Sequence, residues 1–289
     1  MGREVIYIRG IPTTSQPTAE LSSAAEEWAY SPFLTSSNRP PSMLSTLKKY
    51  IPASAKHQLR RASKKMRYLG RRRFCPICQN HASNFDTYEV VPRPEATCPF
   101  CGSQERHRLI WLFFQRRTNL LMGPSKSMLH VAPEPFFADI FKEANQIEYL
   151  SADLIASNAM VKMDVTDIRY PDDSFDVIYC SHVLEHVPDD QKAMSEFLRV
   201  LKPSGWAVLQ VPITADATFE DPTITDPLER EKVFGQKDHV RRYGPDYVDR
   251  LTGVGFNVQR IRATEIASGS EIESMVIDKD ENVFYCTKP

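Results

Sequence analysis

Four of the six cysteines in this 289-residue chain fall in two CxxC pairs, Cys75 with Cys78 and Cys98 with Cys101. The spacing is C-x2-C-x19-C-x2-C, carried by CPIC and CPFC-G. Each CxxC turn delivers two thiolates, and four thiolates meet the tetrahedral demand of Zn2+. A site closed by four protein ligands has no position for water, so the expected metal is structural rather than catalytic. Gly102, just after the second pair, supplies the backbone freedom such a turn uses. The competing reading is four unrelated free thiols. Cys180 and Cys286 lie in apolar, strand-like runs and read as buried thiols.

A second set of chemically capable residues lies further along. Asp153 ends the run YLSAD and Asp164 ends VKMD, eleven residues later. His182, Glu185 and His186 follow the apolar run FDVIYCS, and His239 sits in QKDHVRRYG with Asp238, Arg241, Arg242 and Tyr243. These residues matter only if the fold brings them together, so the elements around them come next.

From Ser127 onward, short apolar runs alternate with helical stretches. Strands are expected at 128–132, 147–153, 160–164, 175–181, 206–212, 256–263 and 282–288. Helices fit at about 134–145, 189–201 and 244–253. That alternation predicts an α/β fold with a parallel, Rossmann-like sheet. The segment 264–281 shows no clear helical pattern, so the last strand is expected as an antiparallel addition at the sheet edge. In such a sheet the ligand crevice lies outside the carboxyl ends of the strands. A carboxylate ending the second strand, Asp153, can accept both hydroxyls of a ribose, and Asp164 ending the third can accept from an adenine amino group. The plainer readings are a helix N-cap for the first and a turn residue for the second.

The stretch MDVTDIRYPDDSFDVIYCSHVLEHVPDDQKAMSEFLRVLKPSGWAVLQVP (163–212) resembles the S-adenosylmethionine-dependent methyltransferases of the type 11 family. The shared elements are the Asp after the third strand, DDSFDVI, VLEHV and FLRVLKPSGW, and the likeness extends over roughly 127–263. It implies S-adenosylmethionine contacts at Asp153, Leu154, Asp164, Val165, Ser181 and His182. The glycine-rich loop of the family is replaced by LHVAPEP, which puts His130 in place of an acid and Ala132 in place of a glycine, followed by Pro133 and Glu134. This resembles a subset with an APE loop behind an N-terminal zinc segment ending in CGS-x-ERHR, which CGSQERHR (101–108) fits. Within it, Glu134 is expected to hydrogen-bond the cofactor's amino group.

Methyl transfer from a sulfonium mainly requires alignment, and a base only where the acceptor must lose a proton. His239, His182 and Tyr243 are the candidate catalytic residues. Glu185 and His186 read as polar structure at the next helix start. Arg106, His107 and Arg108 either anchor the zinc ribbon, close over the site, or begin a helix with solvated charges. The helix expected over 105–121 is amphipathic, with Leu109, Leu112, Phe113, Leu120 and Leu121 on one face and Gly123-Pro124 as its stop.

Domain organisation follows. Residues 1–46 read as a Ser/Thr/Pro-rich tail, 47–73 as a basic helical arm, 74–121 as zinc ribbon and connecting helix, and 122–289 as the Rossmann-like domain. Eleven Lys or Arg and no acid lie between Lys48 and Arg73, so with the whole chain at −1 the remainder carries −12. A basic arm on an acidic body suits an anionic partner or the body itself. The leading substrate expectation is a small molecule or glycan methylated at oxygen or nitrogen. RNA methylation, with the arm 48–73 on phosphate, is the alternative, supported by a resemblance to ribosomal RNA guanine methyltransferases with a four-cysteine module. A catalytically inactive scaffold is a third reading, and contact of the arm with anionic lipid is a fourth use for it. No apolar run approaches the roughly 18 residues of a membrane span, and MGREVIYIRG has neither a signal-peptide nor a myristoylation pattern, so a cytoplasmic protein is expected.

Overall fold

The computed structural model describes residue 52 and residues 62–89, 91–155 and 158–289. The tail 1–46 and residues 47–51 and 53–61 of the basic arm 47–73, with five of its eleven Lys and Arg and their proposed RNA or lipid contacts, lie outside the described residues. Within the arm, residues 62–67 are helical; Met66 and Leu69 are exposed while Tyr68 is buried.

The segment after the arm is built from two short antiparallel pairs. Strands β1 (Arg73–Cys75) and β2 (Asn80–Ala82) form one, and β3 (Asp86–Tyr88) and β4 (Arg93–Thr97) the other. Helix α1 (Glu105–Arg117) follows. All residues from His107 to Phe114 are buried, so α1 is not the one-faced amphipathic helix expected from its leucines. The reason is its setting: the cysteine segment lies on one side and the main sheet on the other, so apolar contacts surround it. Its end also differs. The helix stops at Arg117, where Thr118 turns extended and its hydroxyl donates to the Phe114 carbonyl at 2.8 Å, before Gly123-Pro124 is reached.

The main sheet has seven strands: β5 (Lys126–Val131), β6 (Ile147–Asp153), β7 (Val161–Lys162), β8 (Phe175–Ser181), β9 (Leu201–Gln210), β12 (Asn257–Arg262) and β13 (Asn282–Thr287), in the spatial order β12-β13-β9-β8-β5-β6-β7, while β10 (Phe219–Glu220) and β11 (Arg241–Arg242) form a separate antiparallel pair. The five from β9 to β7 are parallel, while β13 is antiparallel to both neighbours. The last strand is therefore antiparallel as expected but is inserted inside the sheet, leaving β12 at the edge. The linker 264–281 makes this possible with two short helices, α6 (Ala263–Ile266) and α7 (Gly269–Met275), that were not read from the sequence.

Interior parallel strands are apolar on both faces because helices cover both. On one face Met128, Val177, Tyr179, Trp206 and Val208 pack with α1 and with α2 (Pro135–Glu143). On the other, Leu129, Ile178, Ala207 and Leu209 pack with α3 (Asp190–Val200) and α5 (Tyr247–Val254), and α4 (Pro227–Phe234) lies between these two in the chain. This is a three-layer Rossmann-like sandwich. Chain order reverses at β5, which puts the switch point outside the carboxyl ends of β5 and β8.

At the opposite end of the strands, Asp176 accepts from Lys202 Nζ at 2.8 Å and from the Ser127 backbone at 2.9 Å. The contacts fasten β5, β8 and β9 to one another. Asp176 of DDSFDVI and the lysine of LKPSG are thus strand fasteners, remote from the crevice.

Among the described residues no helix is long and apolar enough to cross a membrane.

Candidate active site and metal centre

The four predicted metal ligands come together. Cys75 ends β1, Cys78 lies in the turn after it, and Cys98 and Cys101 follow β4. Cys75 Sγ lies 3.7 Å from Cys101 Sγ, and Cys78 Sγ lies 3.7 Å from Cys98 Sγ. Four sulfurs about 2.3 Å from one tetrahedral ion are about 3.8 Å apart, so the cluster has the size of a zinc site. The Cys98 carbonyl accepts from Gly102 N at 2.9 Å, and Gly102 takes φ +80°, where a side chain would be strained.

Arg108, on α1, is wholly buried beside this cluster. Its guanidinium donates to the carbonyls of Met275 (2.5 Å), Ser103 (2.9 Å), Ala96 (3.0 Å) and Val276 (3.0 Å). Two of those carbonyls belong to the cysteine segment and two to the end of α7. Of the three uses considered for ERHR, Arg108 serves the first, anchoring.

The APE loop follows β5. Ala132 stands where the family has a glycine, and its backbone adopts φ +50°. A non-glycine residue pays about 1 kcal/mol there, so the glycine's conformation is retained without the glycine. Pro133 is buried, Glu134 is the N-cap of α2, and Pro135 occupies the first helical position, which suits its missing N–H. Glu134 faces protein groups on three sides: His130 Nε2 at 2.8 Å, the Tyr179 hydroxyl at 3.3 Å and His107 Nε2 at 3.5 Å. His130 is wholly buried and its other nitrogen lies 3.0 Å from the Tyr149 hydroxyl. His130 therefore holds Glu134 rather than reaching a ligand. His107 was among the residues singled out in ERHR, whereas Tyr149 and Tyr179 were missed because they look like ordinary strand aromatics.

His107 is buried, and its Nδ1 accepts from Gln104 N at 3.0 Å, so Nε2 carries the proton of the neutral ring. Burial, and then the neighbouring Arg106 charge, hold its pKa well below 6.5. The unfolded chain takes up this proton near pH 6.5 and the folded chain only below it. Stability is thus complete above about pH 6.5 and falls as pH drops further. Denaturant unfolding between pH 7.5 and 5.5 should show a steeper loss for the wild type than for His107→Gln. Equal slopes would exclude this origin.

The nucleoside-binding candidates sit at the other strand ends. Asp153 ends β6, with Oδ1 accepting from Ile155 N at 2.9 Å. Leu154 is exposed next to it. Asp164 follows β7, and its Oδ1 accepts from both the backbone and hydroxyl of Thr166 at 2.8 Å. Those hydrogen bonds, the backbone one first, lower its pKa, so it is a carboxylate. A cleft of about 460 Å³ is lined by Leu154, Val161, Met163, Asp164 and Tyr170 among others. Val165 lies behind it in the core. Lys162, Asp167 and Arg169 also line it, so apolar walls are combined with two carboxylates and two cations, and the carboxylates suit a flat, amino-bearing ring.

Ser181 ends β8 and is buried; His182 follows with φ +56°, its amide donating to the Gln210 carbonyl at 2.9 Å. Its Nδ1 lies 3.3 Å from Glu185 Oε1. Burial, then Arg106, lower the His182 pKa, leaving a neutral ring.

The QKDHVRRYG loop departs from expectation. Arg241 and Tyr243 do not face a substrate. Arg241 is buried and donates to the carbonyls of Leu184 (2.7 Å), Val187 (2.5 Å) and Pro188 (2.7 Å). Tyr243 is wholly buried, and its hydroxyl donates to Asp190 at 2.6 Å. Asp190 also accepts from Arg250 at 2.6 Å. A buried polar group must be paired, and these pairs use up both side chains. Tyr243 is a positioning residue, removed from the catalytic set. The loop is a clamp around the 3-10 turn Leu184–His186. It brings buried His239 against His186, with ring centroids 4.6 Å apart.

Residues 122–209 match the family model described as a methyltransferase domain, a span that covers β5 to β9 and the crevice just described. The chain is 45% identical over 49 residues to demethylmenaquinone methyltransferase of Clavibacter sepedonicus, covering 17% of this chain and 20% of that protein. It is 44% identical over 41 residues to a probable methyltransferase of Aspergillus luteorubrus, covering 13% and 14%. The chain thus spans a fifth or less of the length of these curated relatives. A crystal structure of an S-adenosylmethionine-dependent methyltransferase from Archaeoglobus fulgidus aligns at TM-score 0.42 and 16% identity, over 64% of this chain and 95% of that one.

Proposed function

We propose that this chain is an S-adenosylmethionine-dependent methyltransferase acting on a small molecule or glycan, with a structural zinc ion held by Cys75, Cys78, Cys98 and Cys101. The observation that carries the reading is the meeting of Asp153, Asp164 and the Ser181–His182 corner at the carboxyl edge of one parallel sheet, on both sides of its switch point.

S-adenosylmethionine supplies an electrophilic methyl group when bound. Asp153 would hold its ribose hydroxyls, Asp164 its adenine amino group, and the Ala132–Glu134 loop would line the methionine side. Leu154 and Val165 frame the adenine. Arg106 suits the methionine carboxylate: its Nε is buried and has no hydrogen-bond partner within the protein. His182, neutral and half-buried at the crevice, would take the proton that an acceptor hydroxyl or amine gives up. The reduced thiols of a metal-bound ribbon fit a cytoplasmic setting.

Asp153→Ala is expected to weaken S-adenosylmethionine binding by more than tenfold, about 1.4 kcal/mol or more. Calorimetric titration checks it, and an unchanged affinity would refute the ribose role.

A further inference from the structure

The clamp around the 3-10 turn collects Glu185, His186 and His239, each offering a ligand atom within 4.8 Å of the others. Glu185 and His239 are more than nine-tenths buried. Glu185 Oε1 is engaged with His182, but Oε2 is buried with no hydrogen-bond partner within the protein. His239 Nδ1 lies 3.2 Å from the Phe234 carbonyl, which can only accept, so Nδ1 carries the ring proton. Its Nε2 is then a bare lone pair, and that atom too is buried without a partner. Two buried acceptors on residues this close have both lost their water, a costly arrangement unless a positive charge joins them. His186 completes the set, and Asp238 Oδ2 lies 3.3 Å from its Nδ1. A carboxylate behind a ring nitrogen is how ligating histidines are oriented toward a metal.

We propose that Glu185, His186 and His239 form a second metal site, distinct from the cysteine cluster, that binds a divalent transition-metal ion such as Mn2+. Two imidazoles and one carboxylate suit a first-row transition ion rather than the all-oxygen shell preferred by Mg2+ or Ca2+. Four-coordinate N and O ligands at about 2.1 Å are about 3.4 Å apart. Binding draws the three side chains inward, and partly exposed His186 has room to turn. The backbone is already fixed for this: Val240 N donates to the Glu185 carbonyl at 2.9 Å, and Arg241 pins the turn's carbonyls. Three protein ligands leave coordination positions open. Because Glu185 also touches His182, an ion here sits next to the crevice, where it can bind an oxygen of the methyl acceptor and lower its pKa. That last consequence rests on the methyltransferase reading; the metal site itself does not.

The test uses the full chain with zinc in its cysteine site and Mn2+ alone as the probe. Thiolates hold zinc against Mn2+, which lies at the weak end of the divalent series, so Mn2+ reports only on the new site. Loss of the free-ion paramagnetic resonance signal should give one bound Mn2+ per chain, with zinc content unchanged. Glu185→Gln and His239→Asn should weaken Mn2+ binding at least tenfold. His186→Asn alters a partly exposed side chain outside the core and should do the same, so the test survives if a buried variant fails to fold. No saturable Mn2+ uptake by the wild type, or a folded His186→Asn that binds as the wild type does, would overturn the site. Calorimetry with S-adenosylmethionine on the same zinc-loaded samples, with and without Mn2+, separates the two ideas. Donor binding without Mn2+ binding rejects only the metal site, and Mn2+ binding without donor binding rejects only the methyltransferase reading.

Discussion

Arg108→Met is expected to destabilise the folded chain by about 3–5 kcal/mol, read from the denaturant midpoint at constant slope. Methionine fills much of the same volume, so the loss reports on hydrogen bonds and charge rather than on a cavity. The substitution strands the carbonyls of Ala96, Ser103, Met275 and Val276, all of which Arg108 now satisfies. Each buried carbonyl left without a donor costs about 1–3 kcal/mol before relaxation. It also removes a cation from beside the cysteine cluster. Four thiolates around one Zn2+ carry a net −2, and a buried guanidinium nearby offsets part of that field. The stacking of Arg108 over the Phe85 ring, at 4.7 Å, is lost as well. Arg108→Lys keeps the charge but not the planar fork, so it should recover only part of the deficit. A loss below about 1 kcal/mol for Arg108→Met would show that the anchor contributes little.

Cys75→Ser should release the zinc and unfold the segment from β1 to Gly102. Structural zinc sites in small modules contribute apparent binding energies of about 10–16 kcal/mol, which outweighs what the Arg108 anchor and the packing of Ile77, Ala82 and Phe85 give the two hairpins. β1 pairs only with β2, and β3 only with β4. Metal analysis should fall from one zinc per chain to less than about a tenth of that, and limited proteolysis should open cleavage between residues 74 and 103. A chelator should reproduce both results on the wild type. The damage should spread, because Ala96 and Ser103 are half of the Arg108 anchor and the segment covers one side of α1. Wild-type protein with no zinc, or Cys75→Ser protein with full zinc, would defeat this account.

The sequence made some of this readable and hid the rest for physical reasons. β8 appears at the expected residues because a buried parallel strand is a continuous apolar run, and β6 does too although it is only partly buried, with Glu148 exposed. The four cysteines were readable because metal geometry fixes their spacing. Helices α6 and α7 were not, since elements of four and seven residues are too short to display a helical period. The inward placement of Arg108 and Arg241 was hidden for a different reason. In a linear sequence a charged side chain reads as solvated; what buries these is a ring of carbonyls assembled from distant segments. Glu134 shows the same effect in the site. Its motif was visible, but its three protein neighbours come from α1, β5 and β8.

The central claim is that the crevice outside β5, β6 and β8 binds S-adenosylmethionine. Its most direct test is isothermal titration of the zinc-loaded full chain with S-adenosylmethionine and with its demethylated product. The account predicts saturable, one-to-one binding of both. An absence of binding at millimolar ligand, from protein shown to be folded and zinc-loaded, would contradict it.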